Sequence, residues 1–69
     1  MKLSARNVLS GKVVEIERGS VNAVVKVDIG GGKVISSMIT LDALKDLGVS
    51  EGSAVFAIIK SSNVIIGVD

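Results

Sequence analysis

Apolar and polar residues alternate along most of this chain. Between Gly11 and Gly19 the run KVVEIER sets Val14 and Ile16 against Glu15 and Glu17, which is the two-residue period of a half-buried strand. After a Gly19-Ser20 turn, VNAVVKVDI places Val21, Ala23, Val25, Val27 and Ile29 on one face and Asn22, Lys26 and Asp28 on the other, because successive side chains of a strand point to opposite sides. Gly30, Gly31 and Gly32 supply the positive φ angles of a hairpin loop, and KVISSMIT reads as the returning strand. The period then changes. In LDALKDLG, Leu41, Leu44 and Leu47 recur at helical spacing, Thr40 is placed to cap the first turn, Asp42 favours that turn and Gly48 ends it. Past the VSEGS turn come AVFAIIK and, beyond Ser61-Ser62-Asn63, VIIGV. Both are apolar on both faces, Val55, Ala57 and Ile59 opposing Ala54, Phe56 and Ile58. Strands of that kind are covered on each side, and Phe56 is expected in the core.

Five strands with one short helix between the third and fourth give a mainly β fold, the order of a five-stranded OB-like Greek-key barrel. Residues 1–69 make a single domain. A chain this short buries only about 60% of the surface it exposes when unfolded, so it needs a further source of stability. It has no Cys for a disulfide, and with no His either it lacks the usual ligands of a structural zinc. Association of subunits remains, and the composition agrees: 48% of the residues are apolar, with twelve Val and eight Ile. The second apolar face of strands four and five would otherwise be a large exposed patch, so a symmetric homo-oligomer is expected.

Charge and residue inventory then exclude whole classes of function. A net charge of +1 produces no field that would draw the chain to nucleic acid or to an anionic membrane. No apolar run is long enough for a secretory signal or a membrane span, so a cytoplasmic location is expected. Without His, Cys or Tyr, nucleophilic and general-base catalysis lose their usual players, and no enzymatic activity is expected. Asp42 and Asp46 stand four apart on the helix, where they read as a solvated face. Lys33 is followed by a β-branched strand rather than by a helix opening with Ser or Thr, so the glycine run is no phosphate loop. A barrel of this kind that binds single-stranded nucleic acid stacks bases on exposed rings in a basic groove. This chain has one aromatic residue.

Two short runs stand out against that background. SARN at 4–7 and KSSN at 60–63 combine cations, hydroxyls and amides and contain no carboxylate. Taken singly, the first reads as a solvated tail and the second as a hairpin loop. Together, Arg6 offers a planar fork, Lys60 a point charge, and Ser4, Ser61 and Ser62 their hydroxyls, a set suited to an anion. Hydrogen phosphate keeps a proton that must donate to some acceptor, and a donor-only site leaves it unpaired at a cost of about 1–3 kcal/mol. Sulfate, molybdate and tungstate escape that penalty. A third run, GSVN at 19–22, is a tight turn whose successive N–H groups suggest an anion-binding nest.

SARN near the start, GKVVEI, a turn followed by VNA, the DIGGG hairpin, IT before a short helix ending in LG, the EG turn and IIKSS before the last strand together resemble the molbindins. These are the Mop-type molybdate-binding proteins, whose unit also occurs in molybdate transport ATPases and molybdate-responsive regulators. The resemblance runs the length of the chain. It implies an OB-like fold, a hexamer built as a trimer of dimers, and molybdate or tungstate as ligand, with no cofactor. It places one class of oxyanion site on Ser4, Ala5, Arg6, Lys60, Ser61 and Ser62, shared between subunits, and a second class on Gly19, Ser20, Val21 and Asn22 near a symmetry axis. The expected function is storage or homeostasis of the oxyanion. The alternatives are a sensing module acting through a partner protein and, behind it, an OB-type nucleic-acid binder.

Overall fold

The computed structural model describes residues 1–69. Strands β1 (Asn7–Arg18), β2 (Asn22–Gly30) and β3 (Lys33–Thr40), helix α1 (Leu41–Leu47) and strand β4 (Ala54–Ile59) follow in that order, and one turn of 3₁₀ helix, Ser61–Asn63, comes after β4. The strands form one antiparallel sheet in the order β3-β2-β1-β4. β1 belongs to both halves of it, pairing with β4 from Asn7 to Lys12 and with β2 from Lys12 to Arg18. Lys12 is shared by both pairings, and beside it stands Gly11, where a Cβ would lie 2.5 Å from the Asp28 carbonyl oxygen and 2.7 Å from Val27 Cγ1. Only glycine lets the two strands pass this closely. The sheet curls around Val13, Ile16, Ala23, Val25, Val27 and Leu44, with Ile39, Leu41 and Val55 packed against them.

β1 departs from strict alternation. Val13 pairs with Val27 and Glu15 with Lys26, so Val14 is the extra residue of a β-bulge. Val13 and Ile16 therefore point inward and Val14 outward, 48% exposed, which corrects the expected grouping of Val14 with Ile16. The hairpin and helix follow the sequence. Gly30, Gly31 and Gly32 all have positive φ, and Asp28 Oδ1 accepts from the Gly30 N–H at 2.8 Å. Thr40 Oγ1 accepts from the Ala43 N–H at 3.0 Å, and Gly48 closes α1 in the left-handed conformation. Leu44 is buried and Leu47 is 68% exposed.

The end of the chain differs from expectation. VIIGV forms no strand here, and the sheet has four strands rather than five. The physical reason lies in the 3₁₀ turn, whose Asn63 and Val64 N–H groups bond back to the Lys60 and Ser61 carbonyls at 2.8 and 3.2 Å instead of reversing the chain along β4. Ile65, Ile66 and Val68 are 93%, 83% and 95% exposed. Phe56 is also outside, on the outer face of β4 with Ile58, because the inward positions of that strand are Val55, Ala57 and Ile59. The radius of gyration, 12.7 Å, exceeds the roughly 11 Å of a compact chain of this length. Between the two sheet edges, β3 and β4, runs an apolar groove lined by Ile35, Ile39, Val49, Val55 and Ile59 among others.

Candidate functional site

Antiparallel pairing of β1 with β4 sets Asn7 opposite Ile59. The residues just before β1 and just after β4 therefore leave the sheet at the same place. Ser4, Ala5 and Arg6 meet Lys60, Ser61 and Ser62 in one open cleft, completed by Ile58 and Asn63. The two runs, separated by most of the chain in sequence, need no second subunit to come together. No carboxylate lines the cleft, and neither Arg6 nor Lys60 enters an ion pair within the chain, whose salt bridges gather on Lys26. Two cations and three hydroxyls thus face one space without an internal counter-charge.

Sequence reasoning had left Asn7 out of this set. It is half-buried at the first position of β1, and its Nδ2 donates to the Ile59 carbonyl at 3.2 Å and to Ser61 Oγ at 3.4 Å. It ties the SARN run to the KSSN run. The available signal was its place as the polar residue between a cationic segment and a strand.

The GSVN turn forms a separate concavity. Gly19, Ser20, Val21 and Asn22 line it together with Arg18, Glu17 and Met38. The expected nest is absent as such: no residue of the turn has positive φ, and the Gly19 N–H is spent on the Asn22 carbonyl at 2.8 Å. The Val21 carbonyl accepts from the Leu41 N–H at 2.9 Å, so the turn is anchored to α1. Asn22 Nδ2 reaches Met38 Sδ at 3.8 Å. Ser20 and Val21 N–H groups, the Ser20 hydroxyl and Arg18 supply donors here, but Glu17 lines the same hollow. Its carboxylate is partly neutralised by Lys26 at 3.5 Å.

Acidic charge on the sheet is concentrated on its outer face, away from the first cleft. Lys26 lies 3.0 Å from Glu15 and 3.5 Å from Glu17. The hydrogen bond from Lys26 holds the Glu15 carboxyl below its ordinary range, and the same bond with Glu15 raises Lys26. These side chains are well exposed, so the trio contributes little to stability.

The TOBE domain model matches residues 3–66. The chain is 56% identical over 69 residues to a protein of Haemophilus influenzae called a probable molybdenum-pterin-binding protein, covering all of both chains. Among solved structures it superposes on MopII of Clostridium pasteurianum with a TM-score of 0.91 and 46% identity, covering 97% of this chain and 100% of that one. It also superposes on ModG, described as a cytoplasmic molybdate-binding protein and solved with molybdate bound, with a TM-score of 0.95 and 49% identity, covering 100% of this chain and 49% of that one.

Proposed function

This chain belongs to the TOBE domain family, among the Mop-type molybdate-binding proteins, and on that premise we propose that it binds molybdate, and tungstate by the same shape and charge, for storage or homeostasis in the cytoplasm. The observation that carries the proposal is the cleft in which Ser4, Arg6, Lys60, Ser61 and Ser62 converge with no carboxylate among its walls. Charge-assisted hydrogen bonds contribute about 1.5–3 kcal/mol each, and a cationic wall without a carboxylate favours an anion that carries no proton. The ligand is bound and released unchanged.

The assembled form is a homo-oligomer, a hexamer made as a trimer of dimers. Fifteen large apolar side chains are substantially exposed in a single chain, far more than a lone domain of this size sustains in water. The six residues Val64–Asp69 and the apolar groove between β3 and β4 complement each other: one is an extended greasy segment without a sheet, the other a sheet with two open edges and no segment. Exchange of this tail between two copies supplies the fifth strand of each barrel. Because Lys60, Ser61 and Ser62 lead directly into the tail, the first cleft then lies at the junction of subunits. The turn of Gly19, Ser20, Val21 and Asn22 forms the second class of site near a symmetry axis, where equivalent Arg18 side chains and turn N–H groups gather.

Calorimetric titration with molybdate, tungstate, sulfate and phosphate tests the ligand. Molybdate and tungstate are expected to bind, phosphate weakly. Arg6→Ala and Lys60→Ala should each lower molybdate affinity about tenfold or more, the loss of one charge-assisted bond, while the fold is kept. Undiminished affinity in both variants would remove the cleft from consideration.

A further inference from the structure

We propose that Asn7 is a positioning residue of the oxyanion site, acting through Ser61; the inference rests on the oxyanion reading of the cleft. The Ile59 carbonyl can only accept, so the amide atom facing it at 3.2 Å is Nδ2. The second N–H of that same nitrogen is the one that reaches Ser61 Oγ, at 3.4 Å. A serine hydroxyl carries one proton and two accepting positions. With one accepting position filled by Asn7, Ser61 keeps the other and its proton, and it is the proton that needs an acceptor. Arg6 and Lys60, which line the same cleft, have only donors themselves, so neither can take it. A proton-free anion can. Asn7 thus orients the Ser61 hydroxyl as a donor to the ligand and, standing next to Arg6 in the chain, keeps the two halves of the cleft in register.

Aspartate at this position has the same shape and the opposite effect. Its carboxylate would accept a hydrogen bond from the Ser61 hydroxyl, turn that hydroxyl away from the ligand and give a protonated anion a carboxylate acceptor, which the native cleft lacks. The preference among anions, and not only the affinity, therefore depends on this side chain.

The test is a double-mutant cycle of Asn7→Ala and Ser61→Ala, read by molybdate titration, with melting of the ligand-free proteins recorded alongside. Ser61→Ala is expected to weaken binding about tenfold, one charge-assisted bond. Asn7→Ala should weaken it comparably, and the double variant no further than Ser61→Ala alone. The melting loss caused by Asn7→Ala, which reflects the Ile59 bond, should persist in both backgrounds. Asn7→Asp, which keeps the side-chain shape, should raise the affinity for phosphate relative to molybdate. Independent, additive losses in the cycle, or an unchanged phosphate-to-molybdate ratio in Asn7→Asp, overturn the positioning role. A wild-type protein that binds no molybdate overturns instead the oxyanion reading beneath it.

Discussion

Replacing Ile66 by alanine separates the lone chain from the exchanged dimer. Within one chain Ile66 is 83% exposed, and an exposed substitution of this kind changes stability by no more than about 0.5 kcal/mol. In the exchanged form proposed above, Val64, Ile66 and Val68 would share one face of an added strand and would lie in the groove between β3 and β4. Removing a buried isoleucine side chain down to its Cβ costs about 2–5 kcal/mol. Exchange is reciprocal, so each dimer loses two, about 4–10 kcal/mol, and at about 1.4 kcal/mol per decade its dissociation constant rises by at least about three orders of magnitude. Sedimentation velocity over a dilution series would compare wild type, Ile66→Ala and Ile65→Ala, the last a change on the opposite face that should dissociate less. If Ile66→Ala and wild type dissociate at the same concentration, the tail does not fill the groove and the barrel is completed in some other way.

Gly11→Ala should lower stability by about 1–3 kcal/mol, the usual penalty of overpacking, because the atoms it would strike include the Asp28 carbonyl, which belongs to the backbone; a urea midpoint equal to that of wild type would mean that β1 can lift off β2 without penalty. The Glu15–Lys26 contact should give a small, salt-sensitive pH dependence. Since the folded Glu15 carboxyl is held below its ordinary value, its contribution is present above that value and is lost as pH falls through the folded one, while that of Lys26, raised when folded, is lost only at high alkaline pH. Comparing melts of wild type and Glu15→Gln at low salt should therefore show a difference at about pH 6 that shrinks as the solution is acidified below the ordinary carboxylate range, and a difference that does not shrink on acidification contradicts the assignment.

The site was legible in parts. Acid-free runs at both ends of the chain were visible as residue types, but that they meet within one chain follows from the Asn7–Ile59 pairing, a long-range register that no local pattern encodes. Asn7 escaped notice for the same reason, since its role exists only once Ile59 and Ser61 stand beside it. At GSVN a run of small and polar residues does not say which N–H groups the hairpin itself will use, and that of Gly19 goes to the Asn22 carbonyl.

By itself, the sequence determined the elements whose causes are local: the β2 alternation, the glycine hairpin that only positive φ permits, and α1 between its Thr40 cap and Gly48. Tertiary structure decided where local cause gives out. The bulge at Val14 puts Val13 rather than Val14 on the inner face with Ile16, Phe56 lies outside because β4 turns its other face to the core, and Val64–Asp69 stays out of the sheet because the Ser61–Asn63 turn directs it away. An alternating pattern states that a strand has two different faces, and only the neighbours that arrive from distant parts of the chain, or from another copy of it, determine which face is inside.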